Sequence, residues 1–219
     1  MTSQHTGVPA PAPGRARPLR ADAVRNRARV LEAARAAFAA EGLAVPLDEI
    51  ARRAGVGAGT VYRHFPTKEA LFEAVIADQV AALAADAEER LAGPGEPGEE
   101  FFAFFASVVD DGSRKTDLAD ALTSAGVGLR EETLEAAGRL QAGLAALLTR
   151  AQQAGAVRAD IDIADLHALA VGALAAERKR ATGPDAESGK LARVICDGLR
   201  PPAGTRASKA DASAAAEAS

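Results

Sequence analysis

Two short helical segments, LDEIARRA at 47–54 and AGTVYRH at 58–64, are separated only by the three residues GVG, and no other feature of the chain restricts its fold as much. The backbone has to reverse within that turn, so the two helices must meet at a steep angle. Gly55 stands where such a turn needs a left-handed conformation open mainly to glycine. Ile50, Ala51, Ala54, Val56 and Val61 supply small apolar contacts that can hold the pair together. The pattern predicts a helix-turn-helix.

The flanking sequence reads as helix throughout. Alanine contributes a large share of the 48% hydrophobic residues, and it has the best intrinsic helix propensity. In ADAVRNRARVLEAARAAFAAEG, Val24, Val30, Leu31, Ala34 and Phe38 fall near one side at helical spacing, and Gly42 ends the run. Pro46 suits the first turn of the next helix, with Asp48 and Glu49 near its positive end. Thr67 can cap a long helix from Lys68 to about Leu91, carrying Leu71, Phe72, Val75, Ile76, Val80 and Leu83. GPGEPGE at 93–99 breaks that helix. Further helices are expected at about 99–110, 116–125, 130–154, 162–181 and 185–199, with a turn at 154–162. No strand-like alternation persists, so the expected class is all-α with about nine helices.

Composition narrows the function. One cysteine, Cys196, rules out an internal disulfide and Cys-based zinc sites, and it reads as a small helical side chain. No run of ~18 apolar residues is present, and prolines occupy the place where a signal peptide needs an apolar core. A cytoplasmic protein with no membrane partner is expected. Residues 1–65 hold ten arginines, no lysine and five acids, a balance of +5, which leaves −9 for the remainder. Only the front is therefore expected to meet a polyanion. The expected organisation is a disordered basic arm at 1–20, a DNA-binding domain at 21–67, a helical regulatory and dimerisation domain at 68–200, and a disordered tail at 201–219.

The second helix of a helix-turn-helix places its N-terminal part in the major groove, which demands small side chains there. GAGT meets that demand, and Thr60 can offer a hydroxyl to phosphate and a methyl to thymine. Val61 should point inward and Phe65 fold back to close a small core, leaving Tyr62, Arg63 and His64 on the outer face. His64 has no acidic or histidine partner at helical spacing, which argues against a metal ligand or general base.

Together with RVLEAARAAFAAEG ahead of it, LDEIARRAGVGAGTVYRHFPTKEALFEAV resembles the DNA-binding domain of the TetR family of bacterial transcriptional repressors. The likeness covers residues 29 to about 76. The pattern GV-x-x-G-T-hydrophobic-Y-x-x-F-x-x-K-E-x-L matches without a gap. It implies helices one to three for DNA and a helical bundle for dimerisation and a ligand. By that resemblance the DNA contacts fall on Ala58, Gly59, Thr60, Tyr62, Arg63, His64 and Lys68, with Tyr62 and Lys68 on phosphates and Arg63 and Ala58 toward bases. Many members carry Ser or Thr where this chain has Val45 and Pro46, so a usual cap and phosphate contact is missing. Arg15, Arg17 and Arg20 are candidates for an arm along the DNA.

A single such motif covers one half-site, so a homodimer on a palindromic double-stranded operator is expected, with reading heads about 34–36 Å apart. IADLHALAVGALAA looks apolar nearly all round and LARVICDGL along one stripe. Leu166, Ala170, Leu174, Leu191, Val194, Ile195 and Leu199 are the candidate dimer surface. In FFAFFASVV the four phenylalanines cannot share one helical face, so some must meet a second surface. Phe105, Val108, Leu122, Leu140, Leu144 and His167 are the candidate wall of a small-molecule pocket, with core packing as the alternative. The expected function is a ligand-released repressor that uses no cofactor or metal. An activator, a ligand-independent regulator and a small helical enzyme are the alternatives, although paired carboxylates, an activated nucleophile and a phosphate loop are all missing.

Overall fold

The computed structural model describes residues 16–113, 131–180 and 189–202, with side chains described over 22–109, 131–176 and 189–202. Among the described residues there are eight helices and no strand. They are α1 (Ala16–Glu41), α2 (Leu47–Ala54), α3 (Ala58–His64), α4 (Lys68–Ala92), α5 (Pro97–Ser113), α6 (Glu131–Gln153), α7 (Ile163–Arg180) and α8 (Lys190–Leu199). The helix expected at 116–125, and Leu122 with it, lies outside the described residues. The first helix starts at Ala16 rather than after an arm, so Arg17 and Arg20 belong to its first turns and Arg15 lies outside the description.

Two cores form. The front one joins Val30, Leu31, Ala34 and Phe38 of α1 to Ile50 and Ala51 of α2, Val61 of α3, and Leu71, Phe72 and Val75 of α4. At its centre the Phe38 and Phe72 rings meet edge to face, 5.5 Å between centroids, the favoured arrangement for aromatic quadrupoles. Val24 departs from the expected face and is 69% exposed. It is in line with Leu31 and Phe38 at heptad spacing, but at its level a cleft separates α1 from α4. Val24 lines the cleft left between them, with Val75, Ala82 and Leu83 on the other side.

The rear core is built around α5. Phe101, Phe104, Phe105 and Val109 are all fully buried, against Ala87 of α4, Leu147 and Ala151 of α6, Leu166 and Ala173 of α7, and Ala192 and Leu199 of α8. Phe102 lies at the rim of the same core, edge to face with Phe101 at 5.3 Å, and its outer side meets the Arg200 guanidinium, 4.3 Å from the ring centroid. The 154–162 turn is pinned to this end, with Arg158 N donating to Leu199 O at 2.9 Å and Gln152 Nε2 donating to the carbonyls of Arg158 and Ile161. Cys196 is buried here, and burial is the main cause that pushes its thiol up to about 11. It therefore packs as a neutral side chain.

Helix α4 belongs to both cores. Its start is capped by Thr67, whose hydroxyl oxygen accepts from Ala70 N at 3.1 Å. Its far half is gripped by α6. A Cβ at Gly143 would come within 2.7 Å of Ala87 Cβ, so only glycine permits that approach. Arg139 pairs with Glu88, and Arg150 donates to the carbonyls of Leu91 and Gly95 at 3.1 and 3.0 Å.

Within the single chain, helix α7 is covered on one face only: Leu166, Ala170 and Ala173 face the rear core, whereas Ala168, Leu169, Val171 and Gly172 are exposed. Leu166, Ala170 and Leu199 thus complete the chain's own core rather than an outward surface. The other candidates lie further out, with Val194 exposed and Leu174, Leu191 and Ile195 half-buried. His167, expected in a pocket wall, is on the exposed side of α7.

Candidate nucleic-acid interface

The turn between α2 and α3 has the geometry its glycine predicts. Gly55 is left-handed at φ 63°, Gly55 N donates to Arg52 O, and Val56 N donates to Ala51 O, both at 3.1 Å. That is the Schellman arrangement, which satisfies carbonyls left open at a helix end. Pro46 sits one position outside α2, as its N-cap, and provides no side-chain cap. Val45 beside it is buried in the front core. The missing Ser or Thr is therefore reflected in an uncapped α2, and Asp48 is exposed at its start.

Helix α3 separates its faces sharply. Val61 and Phe65 are buried, while Tyr62 is 47% exposed and Arg63 and His64 are exposed beside it. Ala58 and Gly59 are exposed at the leading end, and a Cβ built on Gly59 meets nothing within 4 Å. The side chains expected to face DNA thus share one outer edge of one short helix, and Thr60 is half-buried beside them. Lys68 is placed differently from the rest. It is half-buried at the start of α4, with Nζ donating to Leu43 O at 2.7 Å, so part of its donor capacity closes the turn after α1.

The charge of the front segment is less available than its arginine count implies. Arg25 pairs with Asp22, Arg35 with Glu32, Arg52 with Glu49, and Arg53 with both Glu41 and Glu49. Arg29 donates to Gly55 O at 2.9 Å, and the Arg27 guanidinium lies 5.9 Å from the Phe65 ring centroid. Of the front arginines whose side chains are described, Arg63 alone has no partner within the described residues. Most of the basic excess is taken up by pairing along helix surfaces, where solvent screens each exposed pair and leaves it little net strength. Sequence counting cannot separate those arginines from a free one, although the i,i+3 and i,i+4 acids were visible.

Glu49 is the hub of this network. Hydrogen bonds from Arg52 and then Arg53 lower its carboxyl from 4.5 to about 2. A depressed carboxylate stabilises the fold above its unfolded value, and that contribution is lost as pH falls from 4.5 through about 2. A carbon-detected NMR titration should find Glu49 titrating near 2, and R53A should move the midpoint upward. A midpoint at the ordinary value in the unsubstituted protein would show that the pairs do not persist in solution.

Residues 30–75 match the model of the bacterial regulatory proteins, tetR family, and residues 96–201 match that of the transcriptional regulator SbtR-like C-terminal domain. The fold is similar to the TetR transcription regulatory protein from Mycobacterium vanbaalenii, with a TM-score of 0.67 and 50% identity over 84% of this chain and 100% of that one. It is also similar to SCO0520, a TetR transcriptional regulator from Streptomyces coelicolor, at TM-score 0.67 and 36% identity over 81% and 99% of the two chains. The HTH-type transcriptional regulator SrpR of Pseudomonas putida is 42% identical over 72 residues, or 32% of this chain. The match spans only 34% of the length of that curated relative.

Proposed function

The chain belongs to the TetR family of bacterial regulatory proteins, and we propose that it is a homodimeric repressor released from a palindromic operator by a small molecule. It is a DNA-binding transcription regulator by family, and the outer edge of α3 is the part suited to reading sequence. The observation that carries this reading is the unpaired Arg63 on that edge, beside exposed Tyr62 and behind the slim start at Ala58 and Gly59. A free guanidinium can bond a guanine edge in bidentate fashion, and the tyrosine hydroxyl can bond a phosphate. Thr60 and His64 flank them, and Lys68 keeps donors beyond the one on Leu43 O. Helices α1 to α3 form the DNA-binding unit, and α4 to α8 form the regulatory and dimerisation bundle.

Release would run through α4, which is anchored in both cores. An effector bound by the rear bundle, where Phe105, Val108, Leu140 and Leu144 pack together, acts only if it prefers the state with the wrong head spacing. Among the described residues no helix is long and apolar enough to cross a membrane, and a cytoplasmic site of action fits that.

Selection of bound sequences from random DNA tests the reading. A palindromic consensus is expected. R63A should relax it at one step per half-site, with a cost of about 1–3 kcal/mol there. Y62A should weaken all sequences alike and lower the salt slope by about one. An unaltered consensus with R63A overturns the base-reading role, and an unaltered slope with Y62A overturns the phosphate role.

A further inference from the structure

The two guanidiniums that α1 lays against the reading motif have no place in the DNA-contact scheme above, and they touch opposite ends of α3. Arg29 crosses 26 residues of sequence to donate to Gly55 O at 2.9 Å, just before α3 begins. Its Nη2 is so close to the turn that a Cβ at position 55 would lie 2.6 Å from it. Gly55 is required for its positive φ, and its missing Cβ leaves the space that the Arg29 guanidinium occupies. Arg27, just over half a turn earlier on α1, lies over the ring of Phe65, the residue that ends α3. Between these contacts α3 is held in the front core through Val61. A helix of only seven residues is anchored there by Val61 and, at its end, by Phe65, which leaves its leading end to be fixed by the turn.

We propose that Arg29, assisted by Arg27, is a positioning residue for the DNA-reading helix. By tying the turn to α1 it fixes the pitch of α3, so it governs how well the outer edge discriminates sequence rather than how strongly the protein is attracted to DNA. The proposal rests on the DNA-binding reading, but part of its test does not need DNA. The contact is a charge-assisted hydrogen bond to a main-chain carbonyl, stronger than a neutral one. A flat guanidinium also fills the space over a glycine in a way that an ammonium does not.

The experiment compares the unsubstituted protein with R29A and R29K for binding to the selected operator and to unrelated duplex DNA across a salt series. Both variants should lose about five- to twentyfold in the ratio of specific to non-specific affinity, at and below the lower end for a charged hydrogen bond because Arg29 is exposed to solvent. The salt slope should stay unchanged. A slope lowered by about one in R29A and restored in R29K would make Arg29 a phosphate contact and overturn the proposal. So would an unchanged ratio in both variants. Hydrogen exchange on the DNA-free protein reads the clamp separately. R29A should raise exchange across Val56–Tyr62 by about tenfold, leaving α5 unaffected, because the open state of α3 becomes more populated. Unaltered exchange there overturns the proposal whether or not an operator has been found. Absence of any sequence-specific DNA for the unsubstituted protein would instead count against the function itself.

Discussion

Phe72→Ala should destabilise the front core by about 3–5 kcal/mol, the usual cost of deleting a fully buried phenylalanine, and should abolish operator binding while the rear bundle remains folded. Phe72 is fully buried and meets Phe38 edge to face at 5.5 Å, so the substitution removes both area and an aromatic pair. The front core is small. It draws on three helices and the first two turns of α4, and domains of this size have only about 5–15 kcal/mol in reserve. The rear core shares no buried side chain with it. Thermal unfolding of the variant should therefore split into two transitions, the lower one coinciding with loss of binding. Phe72→Leu keeps most of the volume and should cost less than about 1.5 kcal/mol, with binding retained. A single transition in F72A, shifted by no more than the leucine variant's, would mean the two cores unfold as one unit that tolerates the cavity.

The parts legible in the sequence are those set by short-range chemistry. GVG between two apolar segments can be read because only a few backbone geometries make that turn, and Gly55, Val61, Phe65 and Thr67 stand where that logic puts them. What misled was anything decided by which surface a helix happens to meet. Val24 has the right phase, but at its level a cleft separates it from α4. His167 sits on a helix apolar enough to look enclosed, yet the chain covers only the face carrying Leu166, Ala170 and Ala173. Arginine counting overstated the free positive charge, because pairing with an acid one turn away or with a distant carbonyl depends on rotamers. The same blindness hid Arg29, whose partner is a carbonyl 26 residues away.

Introducing Glu at both Leu169 and Val194 should convert the protein to a monomer and weaken binding to a full palindrome by at least about 100-fold, the avidity that linking two half-site contacts supplies. Leu169, Val171 and Val194 are 38%, 51% and 59% exposed, on adjoining helices that also present half-buried Leu174, Leu191 and Ile195. Between the two helices a groove lined by Leu169, Ala173, Ala176, Leu191 and Ile195 runs past Gly172, where a Cβ would meet nothing within 4 Å, with Arg158, Asp160 and Asp165 also lining it. Exposed apolar side chains on two adjoining helices, with a glycine opening for close approach, suit a helix pair from a second copy. In a twofold interface each substitution occurs twice, so two carboxylates per position are forced into apolar surroundings. Sedimentation equilibrium should then give the mass of one chain. Affinity for an isolated half-site should match that of the unsubstituted protein, since α3 is untouched. Leu134→Glu, at an exposed leucine on α6, should alter neither mass nor affinity. If the doubly substituted protein still sediments as a dimer, the second copy docks elsewhere, and the spacing of the two heads would have to be derived from another face.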